Sequence, residues 1–242
     1  GVVMRLLVSV RSAEEVSAAL AGGADIIDAK DPARGSLGAV TAAVLATIAA
    51  HTPSSVPLSV ALGDCTDLDE LRAALDVART GERSAPVYLK MGFAGVQSLE
   101  RITALLEAAI GSASGARIVA VGYADFGVAG SAPPEEVLRS AVAARADGFL
   151  VDTWLKDGRV LLDHLPIECL TALSLNARDA GLLFAVAGSL DPDAISRLAG
   201  IADVLGVRGA ACLGGRAGAV DEERVALLRR CVDQRRVLAP VG

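Results

Sequence analysis

Leu6-Leu7-Val8-Ser9-Val10-Arg11-Ser12-Ala13-Glu14-Glu15 passes from an apolar strand-like run into a helix start with almost no intervening turn. A dinucleotide-binding open sheet would place its Gly-rich phosphate turn, G-x-G-x-x-G, at that junction. None stands there. Instead, Ser12 and Glu15 have the spacing of a capping box, in which hydroxyl and carboxylate each satisfy a first-turn N–H. The same strand-then-helix unit recurs along the chain. Strand runs are read at 6–10, 26–29, 58–62, 87–91, 118–121, 149–151, 183–187 and 204–207. Helices are expected to start near Ser12, Ala39, Asp67, Gln97, Pro134, Pro166, Asp191 and Asp221. Pro134 before Glu135 and Glu136 suits a first helical turn, where a missing N–H does no harm and carboxylates meet the helix dipole. Eight such units with no long linker predict an α/β fold, a single (β/α)8 TIM barrel over residues 1–242. A doubly wound sheet is the alternative. Ala24-Asp25, Ala146-Asp147 and Ala202-Asp203 each precede a strand, a weak internal echo that shared turn chemistry would also produce.

The chain has 242 residues, is 52% hydrophobic and carries a formal charge of −6. That length is ample for a full core. The acidic balance argues against nucleic acid as a partner, because phosphate backbones need clustered positive charge. Apolar runs of five to seven residues are too short to span a bilayer, and neither membrane association nor a secretory leader is expected. Cys65, Cys169, Cys212 and Cys231 are scattered, with no C-x-x-C pair and no histidine nearby. They read as reduced thiols of a cytoplasmic protein; no metal site and no cofactor is expected. A mean hydropathy of +0.48 is compatible with helical faces buried in a homo-oligomer, although a large barrel core accounts for some of it.

Of 23 basic residues, 20 are arginine and three are lysine: Lys30, Lys90 and Lys156. Codon bias explains the scarcity but not the placement. Lys30 ends the second strand, Lys90 lies near the end of the fourth, and Lys156 follows the sixth. All three fall on the C-terminal face of the barrel, where this fold builds its active sites. A desolvated lysine beside other cations has a lowered pKa, and its neutral amine attacks a carbonyl to form a Schiff base. Asp28, two residues before Lys30, points to the same side of its strand. Asp152 supplies a second carboxylate at the end of the sixth strand. Ion pairs that merely close the barrel layers are the bland reading of the same residues.

Two glycine-bearing turns follow the last two strands, Ala187-Gly188-Ser189-Leu190-Asp191 and Val207-Arg208-Gly209-Ala210-Ala211. In many barrels these loops bind phosphate through backbone N–H groups. Gly188, Ser189, Gly209 and Ala210 are therefore candidate phosphate contacts, with Arg208 adding a charge-assisted bond if it turns inward. A phosphorylated aldehyde or ketone is the substrate class that follows. His51 and His164 are poorly placed for catalysis, and His51 is expected to face solvent. Ser9 reads as a barrel-core serine. Asp64, Tyr123 and Phe126 have no evident task, and Asp125 reads as a loop carboxylate for a substrate or a neighbouring subunit.

Gly23-Ala24-Asp25-Ile26-Ile27-Asp28-Ala29-Lys30-Asp31-Pro32, continuing to Gly35-Ser36-Leu37-Gly38-Ala39, resembles the (5-formylfuran-3-yl)methyl phosphate synthase family. These enzymes are also called 4-(hydroxymethyl)-2-furancarboxaldehyde phosphate synthases. The resemblance extends through Lys90-Met91-Gly92, Asp152-Thr153, Lys156-Asp157-Gly158, Ala187-Gly188-Ser189-Leu190 and Gly206-Val207-Arg208-Gly209-Ala210. It runs from the first strand to the last, and the first block is the specific one. It implies a barrel lyase that joins two molecules of glyceraldehyde 3-phosphate, with loss of phosphate and water, into a furan aldehyde phosphate. That product is an early precursor of methanofuran-type one-carbon carriers, methylofuran among them. The resemblance further implies Lys30 as the Schiff-base lysine and Lys90 as the proton acceptor, supported by Asp28, Asp152 and Lys156. Trp154 departs from the matched pattern. Rival readings are another Schiff-base aldolase-type lyase on a phosphorylated sugar, and a non-catalytic barrel that binds a phosphorylated metabolite.

Overall fold

The computed structural model describes residues 4–81 and 87–234. The expectation of one domain over 1–242 thus reaches beyond the described residues at 1–3, 82–86 and 235–242. Eight parallel strands close into a barrel in sequence order. They are β1 (Arg5–Val10), β2 (Ile26–Ala29), β3 (Leu58–Asp64), β4 (Val87–Gly92), β5 (Arg117–Tyr123), β6 (Gly148–Asp152), β7 (Leu183–Val186) and β8 (Val204–Val207). Around them lie α1 (Ala13–Ala21), α2 (Ala42–His51), α3 (Leu68–Ala78), α4 (Leu99–Ser112), the short α5 (Phe126–Ala129), α6 (Pro134–Ala144), α7 (Ile167–Asp179), α8 (Pro192–Leu198) and α9 (Glu222–Gln234). After β8 the chain forms a small antiparallel hairpin, β9 (Cys212–Leu213) and β10 (Ala219–Val220). The (β/α)8 reading holds, and the open sheet is excluded because β1 pairs with β8.

Each strand is buried on both faces, so its alternate side chains fill two separate layers. One apolar layer fills the space between sheet and helices, including Leu6, Val8, Ile27, Phe149 and Phe184. The other fills the barrel, including Leu7, Ile26, Tyr88, Val119, Leu150 and Val204. Within the barrel the even strands present Ile26, Tyr88, Leu150 and Val204, and two residues further on Asp28, Lys90, Asp152 and Gly206. One step along the alternation turns an apolar plug into a charged layer at the C-terminal end.

The Ala-Asp echo has a common structural task. Asp25 Oδ2 accepts from Leu6 N (2.7 Å), Asp147 Oδ2 from Ile118 N (2.8 Å) and Asp203 Oδ2 from Phe184 N (2.8 Å). Each aspartate staples the start of an even strand to the odd strand before it. Two local expectations fail. Ser12 stands at the N-cap of α1, yet its hydroxyl makes no cap bond. Glu15 instead accepts from Arg11 N (2.9 Å) and pairs with Arg208, a tertiary partner that outweighs the local one. The helix expected near Ala39 begins at Ala42 after Thr41, because residues 35–40 are drawn over the barrel mouth. No helix among the described residues is long and apolar enough to cross a membrane.

Candidate active site

The charged layer and the loops above it enclose a cavity of about 280 Å³ at the C-terminal end of the barrel. Its floor includes Leu7, Ile26, Tyr88 and Val204, and its wall includes Lys30, Lys90, Asp152, Lys156, Gly188, Ser189, Gly209 and Ala210. Asp28 is wholly buried behind that wall. Nine of the ten predicted site residues, Arg208 among them, therefore line one cavity, and Asp28 supports it from beneath.

Two carboxylates each hold one lysine. Asp28 Oδ1 lies 2.7 Å from Lys90 Nζ, and Asp28 Oδ2 accepts from Ser9 Oγ at 2.7 Å. Ser9 is thus a partner of the site rather than inert core. Asp152 Oδ1 accepts from Lys156 Nζ (2.8 Å) and Thr153 N (2.8 Å), while Ser36 Oγ lies 2.9 Å from Oδ2. Burial alone would raise both carboxyl pKa values. For Asp28 the charges of Lys90 and Lys30 outweigh it, and for Asp152 those of Lys156 and Lys30, so both stay ionised well into acid. Lys156 is fully engaged, because its other two donors reach Thr153 O (2.7 Å) and Thr153 Oγ1 (2.9 Å).

Lys30 differs from the other two lysines. It is 6% exposed and, among the described residues, has no carboxylate within ion-pair distance. Burial is the largest influence on its amine, Asp152 opposes it, and the nearby Lys90 adds to it; the pKa falls to about 7. A large fraction of the amine is therefore neutral at physiological pH and open to attack a carbonyl. Ser59 Oγ, also on the cavity wall, is buried without a partner among the described residues and is free to meet a substrate hydroxyl.

In the turn after β7, Gly188 (φ +111°) and Ser189 (φ +54°) both adopt left-handed backbone. A Cβ at Gly188 would sit 3.1 Å from Thr153 Cγ2, so glycine lets this turn press against the end of β6. Ser189 is held where side chains are disfavoured, the kind of strain found at ligand clamps. Neither N–H has a backbone acceptor among the described residues, which leaves both available to an anion.

Arg208 departs from expectation. All five of its N–H donors are committed within the protein: to Ser9 O, Arg216 O, Gly218 O and both oxygens of the buried Glu15. It clamps α1 to the β9–β10 hairpin and has no donor left for phosphate. Asp125 departs too, because its oxygens accept from Trp154 N (2.6 Å) and Leu155 N (2.8 Å) and shape the β6 loop. Tyr123 donates to Asp64 (2.7 Å) beneath the mouth. His51 is exposed at the end of α2, as expected. The residue that sequence reasoning passed over is Arg216, at the hairpin tip and on the cavity wall. Its setting, Gly214-Gly215-Arg216-Ala217-Gly218 after the eighth strand, was the available signal.

A family model described as 4-HFC-P synthase matches residues 6–229. The chain belongs to the 4-HFC-P synthase family. Relatives named (5-formylfuran-3-yl)methyl phosphate synthase include one from Methanothermobacter thermautotrophicus, 36% identical over 95% of this chain and 99% of the relative. Another, from Methanocaldococcus jannaschii, is 37% identical over 93% of this chain and 98% of its own length. Among solved structures, a phosphoribosylanthranilate isomerase from Thermotoga maritima aligns with a TM-score of 0.62 at 16% identity, covering 96% of this chain and 99% of that one. KGPDC from Streptococcus mutans gives 0.63 at 13% identity, covering 96% and 98%. At such low identity these two structures bear on the barrel alone. The 4-HFC-P synthase relatives bear on the enzyme.

Proposed function

We propose that this protein condenses two molecules of glyceraldehyde 3-phosphate into (5-formylfuran-3-yl)methyl phosphate through a Schiff base on Lys30, as a step toward a methanofuran-type carrier. The observation that carries the reading is the Lys30 amine: buried, without a carboxylate at contact among the described residues, and about half neutral near pH 7. The names of the relatives supply the product.

The amine of Lys30 adds to the aldehyde of the first triose and loses water to give an imine. The imine acidifies C2, whose proton is taken up by the Lys90–Asp28 pair, Lys90 accepting it once its own ammonium proton has passed to the Asp28 carboxylate 2.7 Å away. Phosphate then leaves C3 as an anion, which needs no proton, and leaves an unsaturated imine with an electrophilic CH2 terminus. C2 of the second triose, acidified by its own aldehyde, adds there and forms the new C–C bond. The C2 oxygen of the first triose closes on the aldehyde of the second. Two dehydrations aromatise the ring, each needing a proton donor, a task within reach of the Asp152–Lys156 pair. Hydrolysis of the imine consumes one water, equal to that released when it formed. Two trioses thus yield the furan, one phosphate and two waters. The phosphate of the first triose departs, and that of the second stays in the product. The first is assigned to the cradle of Gly188, Ser189, Gly209 and Ala210.

Incubation with glyceraldehyde 3-phosphate, borohydride reduction and peptide mass spectrometry test this, together with absorbance of the furan. The expected result is a reduced three-carbon adduct on Lys30 and accumulation of the furan in unreduced samples. An adduct without furan would favour an aldolase-type lyase. No adduct on any lysine would remove the Schiff base.

A further inference from the structure

Among the described residues, five cations line the cavity. Lys90 is matched by Asp28, Lys156 by Asp152 and Arg208 by Glu15. Lys30 is the amine already discussed. Arg216 has no carboxylate within ion-pair distance among the described residues, although it is half-buried and desolvated. Its Nη2 donates to Gly35 O at 2.7 Å, which leaves most of its guanidinium donors without an acceptor among the described residues. Asp152 acts on it only from a distance, and a desolvated guanidinium with free donors and no carboxylate in contact is a prepared anion site, because the fork of N–H groups matches phosphate oxygens.

The position of Arg216 says which anion. The bond to Gly35 O carries the hairpin tip across to the β2–α2 loop. Beyond that bridge lies an outer cavity of about 630 Å³, walled by loop 32–39, Leu62, Asp64 and Trp154. Arg216 and Lys156 line both cavities and mark the seam between them. Arg208, through Nε to Arg216 O and Nη2 to Gly218 O, holds the tip in place.

We infer that Arg216 binds the phosphate of the second triose, the one retained in the product, at this seam. The site is separate from the Gly188–Ala210 cradle, which takes the phosphate that departs. The inference rests on the two-triose reading above. It explains why the hairpin is locked by a buried ion pair: a phosphate that must stay while another leaves requires a fixed partner. The first triose fills the inner cavity against Lys30, so the second meets it from the outer side.

The test compares the whole protein with its Arg216→Met and Arg216→Lys variants in three measurements. Borohydride trapping of the Lys30 adduct should remain within about twofold of wild type in both variants, because the first subsite is intact. The triose concentration that half-saturates furan formation should rise by about tenfold or more in Arg216→Met, and by less in Arg216→Lys. Titration with inorganic phosphate should show two sites per chain in wild type and one in Arg216→Met. Unchanged saturation with two phosphates still bound overturns the inference, as does loss of the trapped adduct together with furan in both variants. Should wild type make no furan, the two-triose reading falls; the phosphate count in Arg216→Met then still decides whether this arginine holds an anion.

Discussion

A buried amine that is half neutral near pH 7 works against the fold that houses it. Lys30 has a folded-state pKa of about 7 against about 10.4 for an unfolded lysine. Between those values the unfolded chain binds more protons, so stability rises with pH across that window. Below pH 7 both states are protonated and the folded one carries the full penalty of a charged, desolvated amine. Lys30→Met should therefore abolish activity and raise the unfolding free energy at pH 6 by on the order of 3 kcal/mol. That advantage should shrink as pH rises to 9. Burial, helped by Asp64, pushes the Cys65 thiol up to about 12, which weakens both proteins alike above its usual range. Their difference, from urea unfolding at pH 6 and pH 9, isolates Lys30. An equal gain at both pH values would show that this amine titrates normally. The residue types and strand positions of Lys30, Lys90 and Asp152 were legible in sequence, because an amine able to lose its proton cannot be replaced by arginine. The pairing of Lys90 with Asp28, and of Lys156 with Asp152, was not, since it spans different strands and a loop.

At the scale of elements, the same arginine chemistry serves opposite ends. Arg208 and Glu15 are both buried and join α1, β8 and the hairpin in one bracket. Truncating one partner of such a pair leaves the other charge uncompensated. Arg208→Met should lower stability without ligand by about 3–5 kcal/mol in urea unfolding. Unchanged or increased stability would return Arg208 to the phosphate-binding role its loop position suggested. The capping box failed for the same reason: Ser12 and Glu15 have the correct spacing, but a guanidinium about 190 residues away in sequence offers Glu15 the stronger partner. The three Ala-Asp turns went the other way. Their weak echo proved to be a shared device, since each carboxylate reaches only to the neighbouring strand and local spacing suffices.

For the whole molecule, the central cavity exists because one side of the barrel contributes almost no side chain. Ala185 on β7 and Gly206 on β8 face Tyr88 and Lys90 on β4 across the interior. A Cβ at Gly206 would lie 3.3 Å from Ala187 Cβ and 3.6 Å from Leu7 Cδ2, close but not excluded. Gly206→Leu should fill the cavity, change stability by no more than about 1–2 kcal/mol and reduce furan formation by at least about 100-fold. Thermal unfolding and furan absorbance check the two halves. Wild-type turnover in that variant would place the reaction elsewhere.

The sequence by itself determined the (β/α)8 order, the strand centres and the gathering of three lysines and two aspartates at one end. Those follow from local periodicity and from the handedness that forces successive β/α units around a closed sheet. Only the tertiary structure decided which cation is free. Charge pairing is settled by distances between residues far apart in sequence, and it removed Lys90, Lys156 and Arg208 from the unmatched set. It left Lys30 with its partly neutral amine and Arg216 with its open guanidinium.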